Sequence, residues 1–451
     1  MIFLIPLVYL TFTSSKKLVL FVVAIGGIPL TTFMPDLVLL GFLGGLSPQA
    51  AFLFFIVGAL AFVLMFSNGI LFQEMLRFNI YLMFIIYAAF SIFWGDNFIY
   101  GLRLFVKLLS PFLLYLAIVS FIKDSEDLKK IENALYFCVI VVLALIAINY
   151  LTGGAIGGDK VKYKWIPLGV LTAPYMSPAN FSFFVSSIAL YSVARFLFTK
   201  EKKYLIIFAI PSLVVFAAFT RIAMAGLVVG TGICVFMLIR NKMIKVMFPL
   251  MIIVGFVVML FTVDKFRERM FYNANEFSLS EAIESPEKFE KNFDTSGRIF
   301  LWTNVLEHYK DSSMLFGEGI GSLDLLMDKE FKSLELHSEY LRLFLDLGFS
   351  GLALYLLGLL QIIYRLFRMK SETYYRLYSS IAIAGIAYYL ITLFTDNSLN
   401  YVTEFANYVY LFIGLSVVAS RIKNNEKHQD DIPASEDAGF TNDKYKSVEL
   451  R

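Results

Sequence analysis

The chain has 451 residues, of which 58% are hydrophobic and only 17% charged, with a net charge of +3. A soluble globular domain carries more charge than this, so the composition excludes that class. A balance near neutrality gives no reason to expect a nucleic-acid partner.

Taken in chain order, apolar spans run over about 2–13, 18–33, 50–71, 79–95, 101–122, 133–151, 176–198, 204–219, 222–239, 244–263, 340–364, 377–395 and 402–420. Many reach the roughly 20 residues needed to cross a bilayer core of about 30 Å as a helix. They are continuous Leu/Ile/Phe/Val runs without the alternation of a barrel strand. The first two are short, and "PDLVLLGFLGGLSPQ" after them reads as a surface or re-entrant piece. The fold class expected is therefore all-α: a polytopic membrane protein with about 12 transmembrane helices, 12 or 13 by this count, and one large helical outer loop. The organisation expected is membrane helices in 1–263, the large loop in 264–339, membrane helices again in 340–421 and a polar, disordered tail in 422–451. The N-terminus lacks a basic start and a cleavage site, so no cleaved signal peptide is expected. Cys138 and Cys234 both fall in apolar runs and read as small buried hydrophobes rather than a disulfide pair.

Basic clusters recur at alternate turns: Lys123, Lys129 and Lys130; Arg195, Lys200, Lys202 and Lys203; Arg240, Lys242 and Lys245; Arg365, Arg368, Lys370 and Arg376; then Arg421, Lys423 and Lys427. Lysine and arginine in short loops mark the cytoplasmic side. The opposite side then holds "WGDN", the segment 152–175, the Thr220–Arg221 turn, the loop 264–339 and "TDNSLNYV". In that loop Asp294, Thr295 and Ser296 are helix N-cap candidates ahead of a helix from about Arg298 to Lys310. "FGEGIGS" is a glycine-rich turn; it follows no strand, which separates it from a phosphate loop.

Charges at membrane depth cost roughly 2.5–3.5 kcal/mol each on insertion scales, so those retained are paired or functional. Arg103 and Lys107, four residues apart, share one helix face. They read either as a structural pair held by carbonyls or carboxylates, or as an anion contact. Arg342 and Asp346 read as a local ion pair. Arg221 begins a helix on the outer side, where it either snorkels to the interface or joins the helix N-terminus in binding an anion. Arg298 opens the loop helix, and His337 stands where the loop re-enters the membrane. Two guanidiniums and an imidazole on one face suit a diphosphate and a hydroxyl. No clustered carboxylates, cysteines or histidines suggest a metal set, so transfer without metal or other cofactor is expected.

Four stretches carry a family resemblance. "TR" at 220–221 opens a small-residue helix. "SGRIFLW" at 296–302 is followed by "GEGIGS". "LHSEYLRLFLDLGFSGL" starts at 336, and "SPANFSFF" lies at 177–184. Together they resemble the O-antigen ligase and polymerase superfamily: its Ser–Arg step, its G-R-x-x-x-W stretch with a G-x-G-x-G turn, its H-N-x-Y-L re-entry helix, and its Pro–Asn helix start. Ser338 departs from the family's asparagine, and Ala179 separates Pro178 from Asn180. The resemblance implies glycosyl transfer from undecaprenyl-diphosphate-linked sugars at the outer face of the inner membrane. It implies that Arg221 and Arg298 bind the diphosphate and that His337 orients or deprotonates the acceptor hydroxyl. Arg103, Lys107, Asn180 and Tyr340 are the expected substrate-binding residues, with packing an equal alternative for Tyr340. Expected partners are the lipid-linked oligosaccharide donor and acceptor, membrane lipid and a chain-length regulator, the last implied by the family alone. A composition rich in Ile, Phe, Lys, Asn and Tyr inclines the reading to a polymerase. A ligase acting on lipid A-core is the alternative, and a lipid-linked-sugar transporter is the alternative of another class.

Overall fold

A computed structural model describes residues 64, 70–152, 178–263, 298–310, 312–331, 335–368, 373–400 and 402–430. The expected spans 2–13 and 18–33 and most of 50–71 lie outside these residues, as do Asp294, Thr295 and Ser296. The described residues form α1 (Ile70–Arg77), α2 (Asn79–Ser91), α3 (Phe98–Phe121), α4 (Ser125–Leu151), α5 (Pro178–Thr199), α6 (Lys202–Ala217) and α7 (Arg221–Leu238). They continue with α8 (Lys242–Thr262), α9 (Arg298–His308), α10 (Ser322–Glu330), α11 (Glu339–Arg368), α12 (Thr373–Thr395) and α13 (Asn407–Asp430). No strand occurs among them. Seven of the helices are long and apolar enough to cross a membrane, and the chain is a multi-pass membrane protein.

Helix starts follow the sequence. The side chain of Asn97 accepts from the amides of Ile99 and Tyr100 to open α3, and Asp124 accepts from Asp127 to open α4. α13 begins through a π-helical turn (Val402–Ala406) and runs to Asp430, into the tail expected to be disordered over 422–451. Lys and Glu are good helix formers, and extending an existing helix is cheap compared with nucleating one.

α12 is the central column, packed against α5, α7, α11 and α13, while α3 packs on α13 and α2 on α11. Lipid tails supply little net drive for one apolar helix to leave them for another, so close packing must hold such a bundle. Rings do much of it: Tyr81 meets Phe112, Tyr355 and Tyr410 at centroid distances of 5.6, 6.2 and 5.4 Å, and Phe183 stacks on Phe405 at 5.1 Å.

The basic turns gather at one end of the bundle. Arg421 pairs with Glu74 at 2.5 Å and donates to the carbonyl of Val119, and Arg77 pairs with the same Glu74 at 2.6 Å. Arg195 pairs with Glu132 at 3.0 Å, and the Tyr378 hydroxyl donates to Glu132 at 2.6 Å. Arg376 donates to the carbonyl of Met237. Arg77, Arg421 and Arg195 therefore neutralise two buried glutamates.

The glycine-rich turn is a packing device. The amides of Glu318 and Gly319 donate to the carbonyls of Leu345 and Asp346, and those of Phe349 and Ser350 donate to Met314 and Leu315. α11 is bent at Gly348, whose φ of +67° breaks the helix there. A Cβ on Gly348 would stand 2.4 Å from the carbonyl group of Leu315, and one on Gly319 (φ +91°) 2.4 Å from Cα of Gly95. Both positions need the left-handed region and backbone-to-backbone approach at once. Gly319→Ala is expected to destabilise the protein by about 3 kcal/mol or more, from strain and overpacking together. A thermal unfolding midpoint measured in detergent within a degree or two of wild type would refute this reading of the turn.

Candidate functional site

His337 is the best-defined of the residues singled out by sequence. It lies just before α11 with φ +54°, one of three described non-glycine residues with positive φ. The fully buried Asn397, in the turn after α12, holds it from two sides. Its Oδ1 accepts from the His337 backbone amide at 2.9 Å, and its Nδ2 lies 3.3 Å from the ring Nδ1. The same Nδ2 donates to Glu335 at 2.7 Å. Asp396 places Oδ1 3.8 Å from the ring Nδ1 and accepts the Asn397 amide at 2.8 Å. About a third of the His337 side chain stays open.

Arg298 opens α9. Four residues on, and so on the same face, Trp302 donates its Nε1–H to the carbonyl of Leu336 at 2.7 Å and meets the ring of Phe394 at 6.4 Å. The spacing of the G-R-x-x-x-W stretch thus has a physical reason. The tryptophan pins α9 to the residue preceding His337, and the arginine stands one turn away.

Arg221 opens α7 after a sharp turn in which Phe219 takes φ +49°. A bulky residue in the left-handed region is a true outlier, and such strain clusters at functional sites. α7 and α12 run antiparallel: Gly226 faces the ring of Tyr388, and the far end of α7 receives Arg376. At 1.5 Å per residue, Arg221 lies about 8 Å above Gly226, and Thr395 about 10 Å above Tyr388. Arg221 and the Asp396–Asn397 turn therefore sit at the same end of the bundle, opposite the basic turns. The structure brings Arg221, Arg298 and His337 to that end.

Arg103 and Lys107 belong to a second group beside it. The charged neighbours of Lys107 are Asp324, Arg342, Glu339 and Arg103. Arg103 also lies over the ring of Tyr100 at 5.3 Å, whose hydroxyl donates to Asp328. Arg342 approaches Asp324 at 2.8 Å and Glu339 at 3.1 Å, contacts off-line for hydrogen bonds, so they act as charge contacts. Glu339 accepts the Leu399 amide at 3.1 Å, tying this group to the His337 turn. The expected Arg342–Asp346 pair gives way to these partners. Asp346 instead accepts the amides of Gly321 and Leu323 at 3.0 and 2.9 Å, capping α10 from across the fold.

Tyr340 donates its hydroxyl to the carbonyl of Leu390 at 2.7 Å, which fastens α11 to α12. Asn180 is half-buried in the first turn of α5. Sequence reasoning passed over Asp396, Asn397, Glu335, Asp324 and Glu339. The one sequence signal for them is "TDNSLN", a polar knot between two apolar spans.

A family model described as O-antigen ligase matches residues 206–356, a third of the chain, and the match contains Arg221, Arg298 and His337 but none of Arg103, Lys107, Asn180, Asp396 and Asn397. No curated protein matches the chain.

Proposed function

The chain belongs to the O-antigen polymerase and ligase superfamily, and on that premise we propose that it is a surface-polysaccharide polymerase. It would transfer an undecaprenyl-diphosphate-linked glycan to another lipid-linked repeat unit at the outer face of the bacterial inner membrane. What supports this reading is that Arg221, Arg298 and His337 all lie at the end of the bundle away from the basic turns. An acceptor hydroxyl attacks the anomeric carbon as its bond to the diphosphate breaks. The electron pair leaves on the diphosphate, where Arg221 and Arg298 offset the growing charge. His337 supplies the third polar group of the site. Arg103, Lys107 and Asn180 line the approach, and a chain-length regulator completes the assembly. The ligase reading differs only in the acceptor, lipid A-core.

Glycan gels separate the two. A strain lacking the gene should carry core bearing a single repeat unit, restored to a ladder by the wild-type gene. Bare core with long polymer held on carrier lipid would make the protein a ligase. Purified transfer is expected to proceed undiminished with chelator present, and strong inhibition would remove the metal-independent mechanism.

A further inference from the structure

The orientation of one buried amide decides what His337 can do. Asn397 has a backbone N–H of His337 on one side and the Glu335 carboxylate on the other, at 2.9 and 2.7 Å. An N–H needs an acceptor, which must be Oδ1. A carboxylate needs a donor, which must be Nδ2. Turning the amide over would set donor against donor and acceptor against acceptor, so its orientation is fixed by chemistry. The second Nδ2 hydrogen is then the group that faces the His337 ring Nδ1, at 3.3 Å. An amide nitrogen cannot accept a hydrogen bond, so a neutral ring must keep Nδ1 unprotonated and carry its proton on Nε2. Asp396 would prefer a protonated Nδ1, but its 3.8 Å separation is beyond hydrogen-bond length.

From this geometry we infer that Asn397 is a positioning residue for the transfer reaction. It holds the His337 main chain in the left-handed region and fixes the ring as the Nε2–H tautomer. His337 then meets the site as a hydrogen-bond donor, where the family resemblance implies a group that orients or deprotonates the acceptor hydroxyl. A donor stabilises negative charge, so His337 acts with Arg221 and Arg298 on the departing diphosphate. The bond between the acceptor oxygen and the anomeric carbon forms, and the anomeric carbon–diphosphate bond breaks. The hydroxyl proton passes to an oxygen of the released diphosphate. This role rests on the proposed transfer reaction; the tautomer does not.

Two experiments test them separately. The chain holds three histidines, His308, His337 and His428. Nitrogen-15 spectra of histidine-labelled protein, taken at about pH 9 where ordinary imidazoles are neutral, are assigned by comparison with His337→Gln. The expected His337 signals are an unprotonated Nδ1 and a protonated Nε2, and Asn397→Ala should release the ring to the Nδ1–H form beside Asp396. A protonated Nδ1 in the wild type overturns the inference, whether or not the Asn397 variant folds. For the role, glutamine keeps a donor near the place of Nε2 but provides no base. His337→Gln is expected to keep transfer within about tenfold of wild type, while His337→Ala loses about a hundredfold. Equal loss in the two variants, at equal expression, overturns the donor role while leaving the tautomer standing.

Discussion

Arg221→Ala and Arg298→Ala are each expected to lower glycan transfer by about 10²–10³-fold, the usual cost of removing one fixed donor from a site of developing charge. Each arginine is positioned by an element built for it. Phe219 takes a strained turn to start α7 at Arg221, and Trp302 anchors α9 one turn beyond Arg298. Lysine should rescue little, because an ammonium keeps the charge but not the planar fork that grips two phosphate oxygens together. The check is single-turnover transfer by purified variants, with folding verified by their unfolding midpoints. A lysine variant at wild-type rate would reduce the guanidinium to a point charge. An alanine variant at wild-type rate would remove the residue from the site.

The second large effect is on stability. Arg342→Ala should destabilise the protein by about 3–5 kcal/mol, the cost of stranding buried charges. Arg342 is 4% exposed and Glu339 fully buried. With the guanidinium gone, Asp324 and Glu339 face each other with Lys107 and Arg103 as the remaining counter-charges. Because Glu339 also accepts the Leu399 amide, the turn carrying Asn397 should loosen with it. A single Arg342→Ala variant that unfolds at the wild-type temperature would show that the network contributes little.

Much of this architecture was legible in the sequence because membrane helices write themselves as long apolar runs. The spans expected over 101–122, 133–151, 176–198 and 222–239 correspond to α3, α4, α5 and α7 within a few residues at most ends; α4 begins earlier, at Ser125. Lysine and arginine bias grouped the turns correctly at one end. The loop helix expected from about Arg298 is present as α9, Arg298–His308. What stayed hidden was long-range pairing. Asp346 looked like a partner for Arg342 because they are four residues apart, yet its carboxylate reaches back more than 20 residues to cap α10. Asn397 lies 60 residues from His337, and no periodicity links two such positions. The left-handed conformation of His337 was likewise invisible, because histidine there has no local sequence cause; Asn397 holds it from the turn after α12.

The most direct test of a shared diphosphate site is binding. Undecaprenyl diphosphate should be titrated into the purified wild-type protein, the single Arg221→Ala and Arg298→Ala variants, and the double variant. Each single variant is expected to bind about tenfold more weakly, and the double variant at least as weakly as either, since both arginines grip one ligand. Wild-type affinity in the double variant would place the diphosphate elsewhere and contradict the account.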